Sequence, residues 1–293
     1  MAKNKNKKLI GSEAFEKYYS ESFGERWNAL KSSFSLESAY AEFKMDETSE
    51  SYFLDSASVL AAMQLPLENA EEILDLCAAP GGKTLVISSR MKETASLCSN
   101  ERSPERKHRL STVVHNCLPE SISERVRTSC SDGATWCTRQ TECFDAILLD
   151  APCSSERHVF NDPKYLNVWT PSRVKTVASE EWALLSCAFR LLRPEGYLLY
   201  STCALARDEN DGMIEKLLKK FKKQVEIVQI DFDLKKPDPE YLKKAFPKGL
   251  ELPVPEKTDY GYHVLPDASN GAGPIYFCLI QKKEGASEDA FIQ

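Results

Sequence analysis

The sequence has no segment suited to crossing a membrane. No run approaches the roughly 20 apolar residues that a transmembrane helix needs. Residues 1–8 are rich in lysine and have neither an apolar core nor an arginine, so they resemble neither a secretory signal nor a typical transit peptide. We therefore expect no membrane contact and a cytoplasmic location, with a mitochondrial location as the alternative.

The sequence also lacks the pattern of a structural zinc site. Its ten cysteines include no Cys-x-x-Cys spacing, and it has only four histidines. Without a secretory signal, we expect free thiols in a reducing compartment, most of them small buried side chains. Cys98, Cys187 and Cys278 lie inside apolar runs and fit that expectation. Cys153 and Cys203 differ, because each follows an apolar run rather than lying within it.

A positive net charge is absent as well. The chain has 38 Lys and Arg against 44 Asp and Glu, a formal net charge of −6. Non-specific binding of nucleic acids depends on neutralising phosphates, so such a chain makes a poor general polyanion binder. Its 293 residues, 42% of them hydrophobic, suffice for one sizeable α/β domain with a small extension.

The order of segments predicts an extension followed by an α/β domain. Aromatic anchors predict helix over residues 12–44, with a break at Gly24. From residue 72 onward, strand and helix patterns alternate, which is typical of a parallel sheet with helices on both faces. We divide the chain into an N-terminal helical extension (1–50), a main domain (51–283) with a long insertion (233–270) before its last strand, and a flexible tail (284–293).

The predicted sheet is doubly wound, mostly parallel and seven-stranded. Residues 225–230 and 274–280 are expected to form a final antiparallel pair. The strands expected before that pair are residues 73–77, 95–99, 126–129, 146–149 and 197–200.

Three of these strands end in residues that can do chemistry. The first opens onto a glycine-rich loop that begins at Cys77, and the fourth and fifth lead to Cys153 and Cys203. In open α/β sheets, ligands bind outside the carboxyl ends of the strands. The sequence therefore predicts a cofactor loop and two thiols in one crevice, a layout for nucleophilic catalysis by sulfur beside a bound cofactor.

The loop residues favour a cofactor with a ribose and an adenine but no phosphates. Gly81 and Gly82 allow close approach of the backbone to a ligand. Glu101, about twenty residues further on, stands where a carboxylate accepts hydrogen bonds from ribose hydroxyls, and Asp132 could meet the adenine edge. A phosphate-binding P-loop would need glycine where Cys77 stands, and a Gly-x-Gly-x-x-Gly motif is absent. S-adenosylmethionine is the candidate that fits.

The same residues carry a family resemblance. Asp75–Thr84 (DLCAAPGGKT), Asp150–Ser154 (DAPCS) and Tyr200–Cys203 (YSTC) resemble the signature motifs of the Sun-domain RNA 5-cytosine methyltransferases. Three further segments, YFLDSAS from Tyr52, ERH from Glu156 and GPIYFC from Gly273, are similar to the mitochondrial ribosomal-RNA member of that family.

The resemblance implies the S-adenosylmethionine-dependent methyltransferase fold and cytosine-C5 methylation of RNA. Ribosomal RNA is the expected substrate; transfer RNA, or a non-catalytic role in ribosome assembly, is the alternative. Because the chain is acidic, we expect it to act on RNA within a ribonucleoprotein or with a protein partner that aids RNA binding. The family's cofactor contacts carry over to Cys77, Ala78, Ala79, Pro80, Gly81, Gly82, Lys83, Glu101, Arg106, Asp132, Gly133 and Asp150.

The resemblance also assigns catalytic roles. It makes Cys203 the nucleophile that adds to C6 of cytosine and Cys153 the thiol that releases the product, while Asp150 would hold a proton near N3 or bind the exocyclic amine. Residues and spacing alone leave the reverse assignment of the two thiols open, because a Pro-Cys at the end of the fourth strand is the nucleophile in DNA cytosine methyltransferases.

Four residues are assigned to the substrate side. The target base must leave its stack before a thiol can reach C6. Arg157 and His158 could contact the flipped nucleotide, although pairing of Arg157 with a local carboxylate is an equally good interpretation. Lys83 could orient a catalytic carboxylate or cap its loop, and Pro152 adjoins the first thiol.

Overall fold

The computed structural model describes residues 9–232 and 239–284. In this part of the chain, nine strands form a central sheet and two form a separate hairpin. Numbered along the chain, the strands are β1 Tyr40–Phe43, β2 Tyr52–Asp55, β3 Glu72–Asp75, β4 Ser96–Glu101, β5 Val126–Cys130, β6 Phe144–Asp150, β7 Leu192–Thr202, β8 Val225–Ile227, β9 Glu256–Lys257, β10 Tyr262–Val264 and β11 Ile275–Lys282.

The central sheet is mostly parallel at its middle and antiparallel at one side. Its order is β5-β4-β3-β6-β7-β11-β10-β9, and β8 also pairs with β11. Neighbours from β5 to β7 run parallel, whereas β11 is antiparallel to β7 and to β8. The predicted sheet type and final antiparallel pair are confirmed. The predicted count of seven strands is wrong, because β9 and β10 arise within the insertion and are too short to show a periodic pattern.

Helices cover both faces of the sheet. Side chains on neighbouring positions of β6 point to opposite faces, so Leu148 joins one apolar core while Ile147 and Leu149 join the other. In the described residues, the helices are α1 Ser12–Phe23, α2 Trp27–Ser33, α3 Ser56–Met63, α4 Gly82–Ser88, α5 Pro104–Cys117, α6 Glu120–Ser123, α7 Glu156–Asn161, α8 Pro163–Leu166, α9 Pro171–Leu191, α10 Asp211–Phe221 and α11 Pro239–Ala245.

The N-terminal segment is only partly helical. Helix α1 ends at Gly24, whose φ of 56° lies in the left-handed region that favours glycine, as the predicted break required. Helix α2 follows, but the predicted helix over residues 12–44 is wrong at its end, because β1 pairs with β2 there. This hairpin spans residue 50, where we divide extension from main domain, and that division stays a prediction.

The extension is joined to the main domain by an aromatic core. Phe15, Tyr19 and Trp27 are buried against Trp169, which precedes α9. The expected insertion contributes α11, β9 and β10, whereas its residues 233–238 lie outside the described part of the chain, as do residues 285–293 of the expected flexible tail. None of the helices in the described ranges is long and apolar enough to cross a membrane.

Candidate active site

Three adjacent strands place the catalytic candidates at one edge of the sheet. Strands β3, β6 and β7 are neighbours, and Asp150 at the end of β6 is paired in register with Ser201 of β7. The Ser201 hydroxyl donates a hydrogen bond of 2.8 Å to Oδ1 of Asp150. Cys153 and Cys203 follow these two strand ends, and the structure brings their sulfur atoms within 2.8 Å of each other.

The two thiols are free and share one hydrogen bond. The Ser155 hydroxyl lies 3.5 Å from Sγ of Cys153 and 3.3 Å from Sγ of Cys203. The hydrogen bond with Cys153 lowers the pKa of the Cys203 thiol against the effect of burial, and the hydrogen bond with Ser155 lowers it further. The hydrogen bond between the two thiols, together with burial, raises the pKa of Cys153 well above its usual range. Cys203 is therefore the thiol that ionises first.

A buried lysine faces Asp150. Nζ of Lys83 lies 2.7 Å from Oδ2 of Asp150 and 3.3 Å from the hydroxyl of Ser58. Burial lowers the pKa of Lys83, but the attraction of Asp150 outweighs it and the net shift is upward. The ammonium group is therefore kept charged, and it interacts electrostatically with Cys203. Of the two roles predicted for Lys83, its contact with Asp150 fits the orienting of a carboxylate.

Two cavities meet at Cys203. One has a volume of about 620 Å³ and opens beside the glycine-rich loop, and the other, of about 450 Å³, opens beside the β1–β2 hairpin. Their walls share Asp150, Ala151, Ser155 and Cys203. A molecule in either cavity would therefore approach the same thiol and the same carboxylate.

The larger cavity holds most of the expected cofactor residues. The Glu101 carboxylate is almost buried, with Nη1 of Arg106 3.3 Å from its Oε2. Arg106 also donates to the Ala79 carbonyl at 2.7 Å, so it links the acidic residue to the loop. The predicted residues that line this cavity are Cys77, Ala79, Glu101, Arg106, Asp132, Gly133 and Asp150.

The rest of the glycine-rich loop shapes the turn without lining either cavity. Gly81 has a φ of 121°, which favours glycine, and α4 begins at the next residue. A Cβ atom on Gly81 would also lie 2.9 Å from the side chain of Val113. Ala78, Pro80, Gly81 and Gly82 are absent from both cavity walls, and Lys83 lines the smaller cavity rather than the larger.

The polar and apolar groups that line the larger cavity fit a nucleoside. Glu101 and Asp132 supply carboxylate oxygens at successive strand ends, and Leu76 and Leu184 supply apolar walls. At Gly133, a Cβ atom would lie 2.8 Å from the Leu76 side chain, so only glycine fits beside this wall. Carboxylates that accept from hydroxyls, flanked by apolar surface, match a ribose and an adenine.

Not all of the residues predicted for the substrate side line the smaller cavity. Arg157 and His158 line it, whereas Pro152 lines the larger cavity instead. Among the residues that the structure describes, the Arg157 guanidinium pairs with no carboxylate, contrary to the alternative interpretation. It donates to four backbone carbonyls, those of Phe34, Leu36, Gly271 and Gly273. His158 is exposed, and its ring centroid lies 5.2 Å from that of Tyr165.

A comparison with known proteins identifies the family. The family model described as 16S rRNA methyltransferase RsmB/F matches residues 62–262, more than half of the chain. This chain belongs to the RsmB/F family. The computed fold agrees, because "Crystal Structure of PH0851" superposes with a TM-score of 0.71 at 19% identity, covering 91% of this chain and 65% of that one. NSun6 from Pyrococcus horikoshii with SFG gives 0.60 at 20% identity, covering 80% and 54%.

Relatives of the RsmB/F chain extend beyond it. The 5-cytosine rRNA methyltransferase NSUN4 of Mus musculus is 30% identical over 237 residues, which are 79% of this chain and 60% of the relative. Ribosomal RNA small subunit methyltransferase F of Klebsiella pneumoniae is 37% identical over 181 residues, 61% and 37% of the two chains. The chain thus spans at most about 60% of the length of these relatives.

The RsmB/F motifs did not reveal a buried cluster of carboxylates behind the thiols. Glu156 accepts from the Ser154 and Tyr19 hydroxyls and from the Leu205 amide, so one carboxylate ties the loops after β6 and β7 together. Glu209 accepts from the Ser154 amide at 2.7 Å. No local motif indicated this role, since Glu156 and Glu209 are far apart in sequence.

Glu181 completes this cluster from the middle of α9. It is fully buried, and neither of its oxygens accepts from an N–H or O–H of the described residues. Burial, and then repulsion by Glu209, raise the pKa of Glu181 to about 11, and burial raises that of Glu209 to about 7. A proton shared between the two carboxyl groups satisfies both. In the sequence Glu181 follows another glutamate, Glu180, but it lies three residues after Ala178 and four before Leu185, a spacing that places it on the apolar face of the helix.

Proposed function

We propose that this chain is an S-adenosylmethionine-dependent RNA cytosine-C5 methyltransferase that acts on ribosomal RNA through a covalent bond between Cys203 and C6 of the base. The observation that carries the proposal is the position of Cys203 in the walls of both cavities, because the chemistry needs one thiol between a cofactor and a base. Family membership and the names of the relatives, which are rRNA methyltransferases, support the substrate class.

The first step is addition of the Cys203 thiolate to C6. Cytosine C5 is a weak nucleophile, and forming the C6–sulfur bond pushes an electron pair toward N3 and C5. The lowered pKa of Cys203 increases the reactive thiolate fraction. Asp150, held by Lys83 and Ser201, is placed to accept a hydrogen bond from the exocyclic amine, and the Lys83 ammonium offsets the charge that develops on the ring.

The second step restores the aromatic ring. When bound, the sulfonium cofactor supplies an electrophilic methyl group that C5 takes up. The C5 proton must then go to a base while the C6–sulfur electrons return to Cys203. Cys153, 2.8 Å from that sulfur, first loses its own proton to solvent; as a thiolate it takes the C5 proton, and the S–H so formed stabilises the departing Cys203 thiolate.

The test traps the covalent intermediate. Wild type, Cys153→Ala and Cys203→Ala are incubated with S-adenosylmethionine and either small ribosomal subunits or total RNA, then run on denaturing gels. We expect a stable protein–RNA adduct in Cys153→Ala and none in Cys203→Ala. The matched control is Cys130→Ala, which removes an exposed thiol outside both cavities and should behave as wild type.

Other outcomes have definite meanings. An adduct in Cys203→Ala alone would reverse the two thiol roles. An adduct with transfer RNA but not ribosomal RNA would favour the alternative substrate. If wild type transfers no methyl group to any RNA and Cys203→Ala still restores growth of a deletion strain, the chain is a non-catalytic assembly factor.

We also infer that the substrate is a ribonucleoprotein, or that a protein partner delivers the RNA. The net charge of −6 supports this, since few phosphates would be neutralised by the chain alone. Tight binding of naked transcripts at physiological salt would contradict it. The cytoplasmic location, with the mitochondrial alternative, stays a prediction that imaging of the tagged full-length protein tests.

A further inference from the structure

The outer face of the β1–β2 hairpin exposes two aromatic rings. Tyr40 is 65% exposed and Phe53 is 58% exposed. In the hairpin register, Tyr40 stands opposite Asp55 and Phe53 stands opposite Glu42. Directly opposed residues, and residues two apart on one strand, share a face. The two rings are therefore diagonal neighbours on one surface.

The hairpin does not need these rings for its own packing. Its inner face consists of Ala41, Phe43 and Leu54, which are buried in the apolar core of the main domain. Single exposed apolar residues are common on protein surfaces, whereas adjacent ones form a patch of the kind that marks a binding surface. Two such residues side by side strengthen that argument.

The aromatic face adjoins the smaller cavity. Asp55, which is paired with Tyr40 in the hairpin register, lies in the wall of this cavity. Ser38, two residues before Tyr40, lies in the same wall. The surface that begins at the mouth of the cavity therefore continues over Tyr40 toward Phe53. A polymeric ligand that places one of its residues in the cavity would pass the next residue over these rings.

Glu42, one of the two carboxylates of this face, is paired with a lysine. Glu42 lies between the two rings, and Nζ of the exposed Lys248 is 2.6 Å from its Oε2. The ion pair offsets the carboxylate that would otherwise repel phosphates. Asp55, opposite Tyr40 on the same face, is a second carboxylate, so the face offers aromatic surface without a positive charge, which suits a base better than a phosphate.

We propose that Tyr40 and Phe53 form a stacking platform for an unpaired nucleotide next to the target cytosine. The proposal rests on the proposed function, because it assumes that the base in the smaller cavity belongs to RNA. Single-stranded RNA is commonly bound by stacking of bases on aromatic side chains. A protein partner fits less well, since two rings around an ion pair are far smaller than the roughly 800 Å² per partner of a stable protein interface.

The test separates base stacking from backbone attraction. Tyr40→Ala, Phe53→Ala and the double variant are titrated by fluorescence anisotropy with a labelled 12-nucleotide oligocytidylate and with an abasic oligomer of equal length. Each single substitution is expected to weaken binding of oligocytidylate by at least about fivefold. Binding of the abasic oligomer, and the salt dependence of both, should not change because no charge is removed.

Aromatic replacements are the matched controls. Tyr40→Phe and Phe53→Tyr keep a ring and are expected to bind as wild type does. The platform is overturned if wild type binds oligocytidylate no better than the abasic oligomer, or if the alanine variants bind it as wild type does. It is also overturned if the substitutions abolish a concentration-dependent dimer seen by sedimentation, since the face would then bind a second copy.

Methylation kinetics distinguish this failure from failure of the proposed function. On small-subunit ribosomal RNA, the alanine variants should raise KM with little change in kcat, because they remove binding outside the reacting base. Methylation by wild type with an unchanged KM in the variants would overturn only the platform. Base-dependent binding without any methylation would count against the proposed reaction and leave the platform standing.

Discussion

The two thiols of the site are chemically different although they lie side by side. The hydrogen bond between them lowers the pKa of Cys203 and raises that of Cys153. This asymmetry favours the assignment of Cys203 as nucleophile over the reverse assignment, which spacing had left open. The Ser155 hydroxyl contributes as well, because its hydrogen bond with Cys203, at 3.3 Å, lowers the pKa of that thiol further.

The asymmetry predicts how the reactivity of Cys203 depends on pH. In Cys153→Ala the donor is lost, so the pKa of Cys203 should rise and its alkylation by iodoacetamide near neutral pH should slow several-fold. Mass spectrometry of the labelled peptide over a range of pH values measures the midpoint. Cys153→Ser, which keeps an O–H donor, should stay close to wild type, and an unmoved midpoint in Cys153→Ala would contradict the prediction.

Among the elements, helix α3 links the hairpin to the site. Its N-cap is Asp55, whose carboxylate accepts from the Ala57 amide at 2.8 Å and from the Gly273 amide at 3.1 Å. One side chain thus caps a helix, fixes the loop before β11 and lines the smaller cavity. Burial raises the pKa of Asp55 despite these hydrogen bonds.

Removal of this cap should destabilise the fold. Asp55→Ala loses the cap and leaves the Gly273 amide without its acceptor, so we expect the free energy of unfolding to fall by about 1–3 kcal/mol. Urea unfolding followed by circular dichroism measures the loss. Asp55→Asn retains an acceptor and should lose less. Asp162 caps the four-residue α8 at the surface, so Asp162→Ala is the control. An equal loss of stability in that variant would argue against a special role for Asp55.

Over the whole molecule, the buried carboxylates connect the extension to the thiol loops. Tyr19 of α1 donates to Glu156, which holds the loops after both catalytic strands. Glu181 and Glu209 lie behind them, with pKa values raised to about 11 and about 7. The N-terminal helices therefore help to support the site, although they line neither cavity.

These raised pKa values predict a stability that declines with pH. The folded state holds protons that the unfolded chain releases above about pH 4.5, so the free energy of unfolding falls as the pH rises, up to about pH 7 for Glu209 and about pH 11 for Glu181. Glu181→Gln removes one such proton and should flatten the slope by up to about 1.4 kcal/mol per pH unit.

Thermal and urea unfolding at pH 5 and pH 8 test this dependence. Glu181→Gln should be stabilised relative to wild type at pH 8 more than at pH 5. Glu180→Gln changes the exposed neighbour on the same helix and should leave the slope as it is in wild type. Equal slopes in wild type and Glu181→Gln would mean that Glu181 is ionised in the folded protein.

The sequence by itself determined the class of the fold and the members of the site. Apolar strand runs alternating with helical patterns specify a parallel sheet, and the carboxyl ends of such strands must meet at one edge. Local motifs therefore sufficed to select Cys203, Cys153, Asp150 and Glu101. The N-cap at Asp55 and the break at Gly24 were equally local, because each depends on a few adjacent residues.

Only the tertiary structure decided which groups act together. The four carbonyls that bind Arg157 come from two distant segments, residues 34–36 and 271–273, so no local pattern could show that its guanidinium is engaged. The strand at residues 40–43 exists because β2 pairs with it, and the raised pKa of Glu181 depends on its burial and on Glu209, which lies in another segment of the chain. Strand pairing and desolvation depend on contacts between distant segments, and these contacts form only when the chain folds.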